Sequence, residues 1–308
     1  MNTVAVEIVG EQIVEPRAAR LSLSEKLAAY VELTKPRITL FIVLIAAAGF
    51  TLAPTQAFNY GRFLHAMAAI ALLSSGVAAL NQFMERRLDA RMRRTSARPL
   101  PSNRIAPSSA LLFGLLLTSV AEIYLWLAVN PLTAVLGLTV VAGYVGFYTP
   151  LKTKTSLSTV VGAFPGAMPP LMGWTAATDH LTLEAWALFA ILFLWQFPHF
   201  LAIAWMYRED YGKAGIMMLP VVESDGRTTG QQIVVYALLL LPVSLFPAML
   251  GIAGALYSCG ALALGAFYLW SSIRTARRMT NKDARRLLFA SIIYLPALFV
   301  LMVLDNKF

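Results

Sequence analysis

The chain has a single cysteine, Cys259, in 308 residues. That excludes an internal disulfide and a thiolate-bound metal cluster. Charge is scarce too. Asp, Glu, Lys and Arg make up 13% of the residues and hydrophobic residues 58%, whereas a soluble domain carries about 25% charged and about 45–50% apolar residues. The balance excludes an ordinary water-soluble globule and reads as an integral membrane protein. Residues 1–24, MNTVAVEIVGEQIVEPRAARLSLS, lack a continuous apolar run, so no secretory signal is expected there. Residues 1–29 read as a polar cytoplasmic tail and residues 30–308 as one intramembrane domain. No inserted soluble domain and no tandem repeat of fixed period is visible. Histidine is limited to His65, His180 and His199.

What is present is apolar sequence in lengths suited to a bilayer, which needs about 20 residues per helical crossing. Nine segments qualify: Ile38–Ala53, Phe63–Phe83, Ser109–Ala128, Leu132–Tyr148, Leu157–Thr175, Leu183–Met206, Ile233–Leu250, Ile252–Trp270 and Leu287–Leu304. The expected fold is therefore all-α, a polytopic membrane protein of nine transmembrane helices. The first segment is short and extends toward Leu33. The seventh and eighth are separated only by Gly251 and Gly254. Of the 25 Lys and Arg residues, 23 fall in alternate connections; only Arg62 and Lys307 fall on the other side. Basic residues are retained in the cytoplasm. The N-terminus is then cytoplasmic and the C-terminus external, and the net charge of +9 reflects topology rather than nucleic-acid binding.

At the cytoplasmic end of the second segment lies NQFMERRLDARMRRTSARPL, Asn81 to Leu100. Asn81, Glu85 and Asp89 follow one another at four-residue intervals, so they stack along one helix face. Two like charges at that spacing repel, and a divalent cation removes the repulsion. Mg²⁺ takes oxygen ligands and typically holds one or two carboxylates together with a substrate phosphate. Arg94 and Arg98 follow, and guanidinium forks suit phosphate oxygens. Pro99 and Pro101 end the helix. Arginines at this end also have a purely topological explanation, retention in the cytoplasm with i±4 pairing to the acids.

Three further segments stand out. In YTPLK, Tyr148 and Lys152 fit either an interfacial aromatic with a retained lysine or a phosphate contact beside the acidic residues. In WQFPHFLAIAWMYREDYGKAGIMMLP, Trp195 to Pro220, His199 lies deep in the sixth segment, where ionisable residues are functional by default. It is either a packing histidine or a contact to a ligand, haem iron among them. Gln196 is expected to orient it. Asp210 follows three turns later and would share its face if the helix continued. Glu209 and Asp210 loosely echo Glu85 and Asp89 four segments earlier, which hints at a duplication. In GAFPGAMPPLMGW, the prolines Pro165, Pro169 and Pro170 suggest a broken helix, either walling a cavity or kinked for packing. His65 and His180 lie near the outer side and receive no role.

Taken together, these motifs resemble those of the UbiA-type intramembrane prenyltransferases. The Asn81–Leu100 segment resembles the first acidic motif, with NxxxE for the commoner NxxxD, and YTPLK resembles YxxxK. The Trp195–Pro220 segment resembles the block of the branch whose acceptor is haem rather than a quinone-type aromatic. The second acidic motif is DxxxD in the quinone branch; here Asp210 fits its first position and Ala214 occupies the second. The resemblance covers residues 30–300. It implies helices around a central cavity, farnesyl diphosphate and haem b as substrates, and Mg²⁺ as cofactor at a site open to the cytoplasmic face of the inner membrane. It implies Asn81, Glu85, Asp89 and Asp210 as metal ligands, and Arg94, Arg98, Lys152 and Tyr148 about the diphosphate. His199 would contact haem, and haem A synthase or a terminal oxidase would be a partner. Prenylation of a quinone-type acceptor, or transport, are the alternatives; transporters often carry inverted repeats, and none is visible.

Overall fold

The computed structural model describes residues 22–307, and the described chain is helical throughout apart from its connections. In order, α1 is Leu23–Leu33, α2 Pro36–Leu52, α3 Tyr60–Asp89, α4 Pro107–Ala128 and α5 Pro131–Val141. A π-helical stretch, Ala142–Tyr148, leads into α6, Thr149–Leu151. Then come α7 Ser158–Gly166, α8 Met168–Thr178, α9 Leu183–Met206, α10 Arg208–Ala214 and α11 Leu219–Val222. The chain finishes with α12 Arg227–Val243, α13 Phe246–Met249, α14 Ala255–Arg278 and α15 Asn281–Leu304.

Seven helical runs are each long and apolar enough to cross a bilayer: Tyr60–Asp89, Pro107–Ala128, Pro131–Leu151, Leu183–Met206, Arg227–Met249, Ala255–Arg278 and Asn281–Leu304. Helices α1 and α2 pass the same test only together, bent by 44°. The fifth expected segment is two helices, α7 and α8, which meet at Ala167, and neither spans alone. The expected segments all fall on helix, but the described residues show seven full-length crossings, or eight with α1–α2 taken as one, and the fifth segment is broken within its own bounds.

The bend between α1 and α2 has a local cause. Pro36 opens α2 and Lys35 before it adopts a left-handed conformation with φ 49°, so the helix cannot run through. Helix α1 starts inside the stretch expected to be a polar tail. Residues 1–21 of that tail lie outside the described residues. From Ser22 on, a capping box decides the matter: Ser22 Oγ accepts from the Glu25 amide and the Glu25 carboxylate accepts from the Ser22 amide. Ala29 and Leu33 on α1 are buried with Ala79, Leu100, Ile105 and Ala110.

Small residues let the helices approach closely, the usual device where hydrocarbon surrounds the protein and cannot drive packing. A Cβ at Gly76 on α3 would fall 2.4 Å from Thr118 Oγ1 on α4. One at Gly173 on α8 would fall 1.8 Å from the Ala46 carbonyl oxygen on α2. The proline-rich α8 therefore forms a tight seam against α2, with Met168 through Ala176 buried. This favours the packing account of that motif over a cavity wall. On the outside, Leu112, Leu115, Leu116, Ile123 and Leu127 of α4 are exposed, as a lipid-facing surface requires.

Candidate functional site

Helix α3 is 30 residues long, or about 45 Å at 1.5 Å per residue. Its last three turns carry the acidic ladder. Asn81, Glu85 and Asp89 are 1%, 6% and 1% exposed, so two carboxylates are buried on one helix face and both need partners.

The partners come from distant parts of the chain. Lys152 Nζ lies 2.5 Å from Glu85 Oε1 and 4.3 Å from the centre of the Tyr148 ring. Tyr148 packs edge-on against Tyr144. Arg98 Nη1 donates to both oxygens of Asp89 at 2.8 Å, and Thr95 Oγ1 donates to the Asp89 carbonyl at 2.9 Å. Asn81 accepts from Lys35 Nζ at 3.2 Å and donates to Thr149 Oγ1 at 3.2 Å. The π-helix helps to place these groups. Its last amide bond runs from Thr149 N to the Tyr144 carbonyl, and Pro150 offers no amide to continue a regular pattern.

The segment beyond α9 closes the site from the side. Asp210, 8% exposed, lies 3.6 Å from Arg93. Arg94 stands over the Tyr207 ring at 4.9 Å and its Nη2 lies 3.4 Å from the Tyr211 hydroxyl. The Met217 amide donates to the Lys152 carbonyl at 2.7 Å. The structure thus gathers Asn81, Glu85, Asp89, Arg94, Arg98, Tyr148, Lys152 and Asp210 at one end of the bundle.

Two expectations for the sixth segment are corrected. Helix α9 ends at Met206, with Tyr207 outside helical geometry, before α10 begins; Asp210 does not continue the His199 face. Gln196 does not orient His199: its Nε2 donates to the Ala163 carbonyl at 2.8 Å. His199 instead has Nδ1 2.7 Å from Ser291 Oγ on α15 and stacks on Trp195. It belongs to a separate cluster. A pocket of ≈ 530 Å³ lined by Phe50, Arg62, Trp174 and His180 lies at the other end of α3 and contains none of the residues gathered around the ladder.

The donor set suits a hard cation, with three carboxylates and an amide oxygen. Among the described residues, no three acidic, histidine or cysteine side chains form a closed chelate. Each carboxylate faces a basic side chain instead: Glu85 Lys152, Asp89 Arg98 and Asp210 Arg93. This fits Mg²⁺ in the mode that takes one or two carboxylates and draws its remaining ligands from phosphate and water. The arrangement therefore offers carboxylate oxygens for a cation and, beside them, ammonium and guanidinium groups for a polyanion.

A model of the UbiA prenyltransferase family matches residues 42–293. The chain belongs to this family. It is 50% identical over 286 residues to a protein of Solibacter usitatus named protoheme IX farnesyltransferase, covering 90% of this chain and 98% of that one. A protein of the same name from Koribacter versatilis is 46% identical over 308 residues, covering 97% and 98%. Among solved structures, a digeranylgeranylglyceryl phosphate synthase shares the fold with a TM-score of 0.77 at 15% identity, over 91% of this chain and 98% of that chain. A UbiA homologue from Archaeoglobus fulgidus bound to GPP and Mg²⁺ gives 0.65 at 16% identity, over 89% and 99%.

Sequence reasoning missed Lys35 and Thr149 as partners of Asn81 in this UbiA-family site, and, outside it, Ser291 as the partner of His199. Lys35 counts toward topology in the sequence, and its place before Pro36 was the available signal. Thr149 lies inside YTPLK, between Tyr148 and Lys152, where its hydroxyl is the available signal. Nothing near Ser291 in the sequence points to α9.

Proposed function

We propose that this protein transfers the farnesyl group of farnesyl diphosphate to a vinyl group of haem b, with addition of water, to give haem o and diphosphate. Asn81, Glu85, Asp89 and Asp210 would hold Mg²⁺, with one or two carboxylates to an ion, and Arg94, Arg98 and Lys152 would hold the diphosphate. Tyr148 backs Lys152 with its ring. His199 contacts the haem. The chain crosses the inner membrane nine times, counting α1–α2 and α7–α8 as one crossing each, with the site open to the cytoplasm and the C-terminus outside. Haem A synthase or a terminal oxidase receives the product.

What supports the reading is Lys152 of YTPLK meeting Glu85 of the ladder across 67 residues of sequence, in a chain half identical to a farnesyltransferase named for protoheme. The chemistry follows from the side chains. Bound Mg²⁺ supplies positive charge to the diphosphate oxygens as the leaving group departs. Lys152 and Arg98 exchange their carboxylates for diphosphate oxygens and, with Arg94, stabilise the charge that develops there. The C1–O bond breaks and its electron pair leaves with diphosphate, which makes an allylic cation at C1. The vinyl π pair forms the new C–C bond. Water adds to the resulting carbocation beside the porphyrin, and a proton is released. No side-chain nucleophile is needed; the apolar bundle keeps stray water from the cation.

The test is incubation of purified protein with haem b, farnesyl diphosphate and Mg²⁺, followed by mass analysis of the haem. A gain of one farnesyl group and one hydroxyl is the expected result. Unchanged haem together with prenylation of a quinone precursor would move the assignment to the aromatic-acceptor branch. Uptake with neither product would favour transport.

A further inference from the structure

His199 sits on α9, and its ring stacks on Trp195 with centroids 4.8 Å apart. Its Nδ1 lies 2.7 Å from Ser291 Oγ on α15. The serine decides which of the two donates. A hydroxyl has one hydrogen and two lone pairs. Ser291 Oγ also lies 2.6 Å from the carbonyl oxygen of Leu288, one turn earlier. A carbonyl only accepts, so the hydroxyl hydrogen goes to Leu288. Ser291 Oγ therefore accepts from His199, and Nδ1 carries the imidazole proton.

The arrangement is held from several sides. Ser291 is 0% exposed. Its own carbonyl accepts from Trp195 Nε1 at 2.9 Å, and Tyr268 on α14 donates to the Trp195 carbonyl at 3.0 Å. Ring orientation and serine position are thus tied together through α9, α14 and α15. With the proton on Nδ1, the lone pair is on Nε2. No hydrogen bond occupies that atom, and the residue as a whole is partly buried. Nε2 is thus the ring nitrogen left for a ligand.

We propose that Ser291 is a positioning residue that fixes His199 as the Nδ1–H tautomer and so presents the Nε2 lone pair to the iron of the haem substrate, an assignment that rests on haem as the acceptor. Metal-bound imidazoles use a neutral nitrogen while the other ring N–H donates to a fixed oxygen, which sets tautomer and orientation. The serine hydroxyl, with its own hydrogen committed to Leu288, is such an oxygen.

The full chain has only three histidines, so histidine labelled with ¹⁵N in protein held in lipid nanodiscs gives three imidazole signal pairs. Loss of one pair in His199→Gln assigns it. The expected result is protonated Nδ1 and bare Nε2 at His199 in the unmodified protein without haem. Ser291→Ala should allow the Nε2–H form, whereas Ser291→Thr, which keeps the hydroxyl, should retain the original tautomer. In a haem titration followed by absorbance, Ser291→Ala should weaken binding about tenfold or more, the usual effect of removing such an outer partner. Binding of a non-hydrolysable farnesyl diphosphate analogue should not change, which also shows that the variant is folded. A protonated Nε2 in the unmodified protein, measured without any substitution, would overturn the proposal, as would a tautomer indifferent to Ser291→Ala. The stated tautomer, with haem affinity unchanged in both His199→Gln and Ser291→Ala, would remove the iron-ligand role and leave the hydrogen-bond assignment standing.

Discussion

Replacing Lys152 by methionine keeps the length of the side chain and removes its charge. Glu85, 6% exposed, would then be a buried carboxylate without its partner at 2.5 Å. Leaving one member of a buried ion pair alone costs about 3–5 kcal/mol. Lys35 reaches Asn81, one turn away on the same face, and softens the loss, so the expected destabilisation lies near the lower end, about 3 kcal/mol or roughly two powers of ten in the folding equilibrium. The double variant Lys152→Met with Glu85→Leu removes both charges. Apolar replacement of a whole buried pair is often neutral, so the double variant should recover to within about 1 kcal/mol of the original. Neither variant should transfer farnesyl. Reversible unfolding by SDS in mixed micelles, followed by the fluorescence of the six tryptophans, gives the stabilities, and product mass gives the activity. The pair would then exist for function rather than for stability. A single variant as stable as the original, or a double variant as unstable as the sum of its parts, would refute the reasoning.

Asp89→Asn should free Arg98 and reduce turnover by about 10²–10³-fold while haem still binds; His199→Ala should show the reverse, losing haem and keeping the farnesyl diphosphate analogue. EDTA should abolish turnover and Mg²⁺ restore it, measured as haem o formed per enzyme. Gly173→Ala pushes a methyl to within 1.8 Å of a backbone carbonyl and should cost about 3 kcal/mol or more in the same unfolding assay. Gly146→Ala meets nothing within 4 Å and should leave stability nearly unchanged. A reporter enzyme fused after Asn281 should be cytoplasmic and one fused at the C-terminus external, read by compartment-specific activity.

What could be read in the sequence was what is local. The ladder at Asn81, Glu85 and Asp89 follows from helical period alone, and its burial at one end of the bundle follows from the apolar run before it. The breaks were legible only in part. Pro165, Pro169 and Pro170 announce an interruption, but the seam they serve depends on Ala46 and Gly49 of α2, more than a hundred residues away. Gln196 was expected to orient His199 because one turn separates them. The helix turns its amide toward Ala163 on α7 instead, and the histidine finds Ser291 across 92 residues. Glu25 is the reverse case: Ser22 to Glu25 form a four-residue capping signal inside the polar stretch that reads as tail.

Helix α3 outlasts the membrane it crosses. The hydrocarbon layer is about 30 Å thick and the helix runs about 45 Å, so a crossing along the membrane normal leaves about ten of its 30 residues outside the hydrocarbon, and the charged ladder is the end suited to the headgroups. A prenyl diphosphate has the same partition built into it, a hydrocarbon tail and a doubly phosphorylated head. With the ladder at headgroup level, the protein would not have to lift its substrate out of the bilayer or draw the charged head into it. A substrate drawn from such a two-dimensional reservoir would be counted per lipid rather than per litre of cytoplasm.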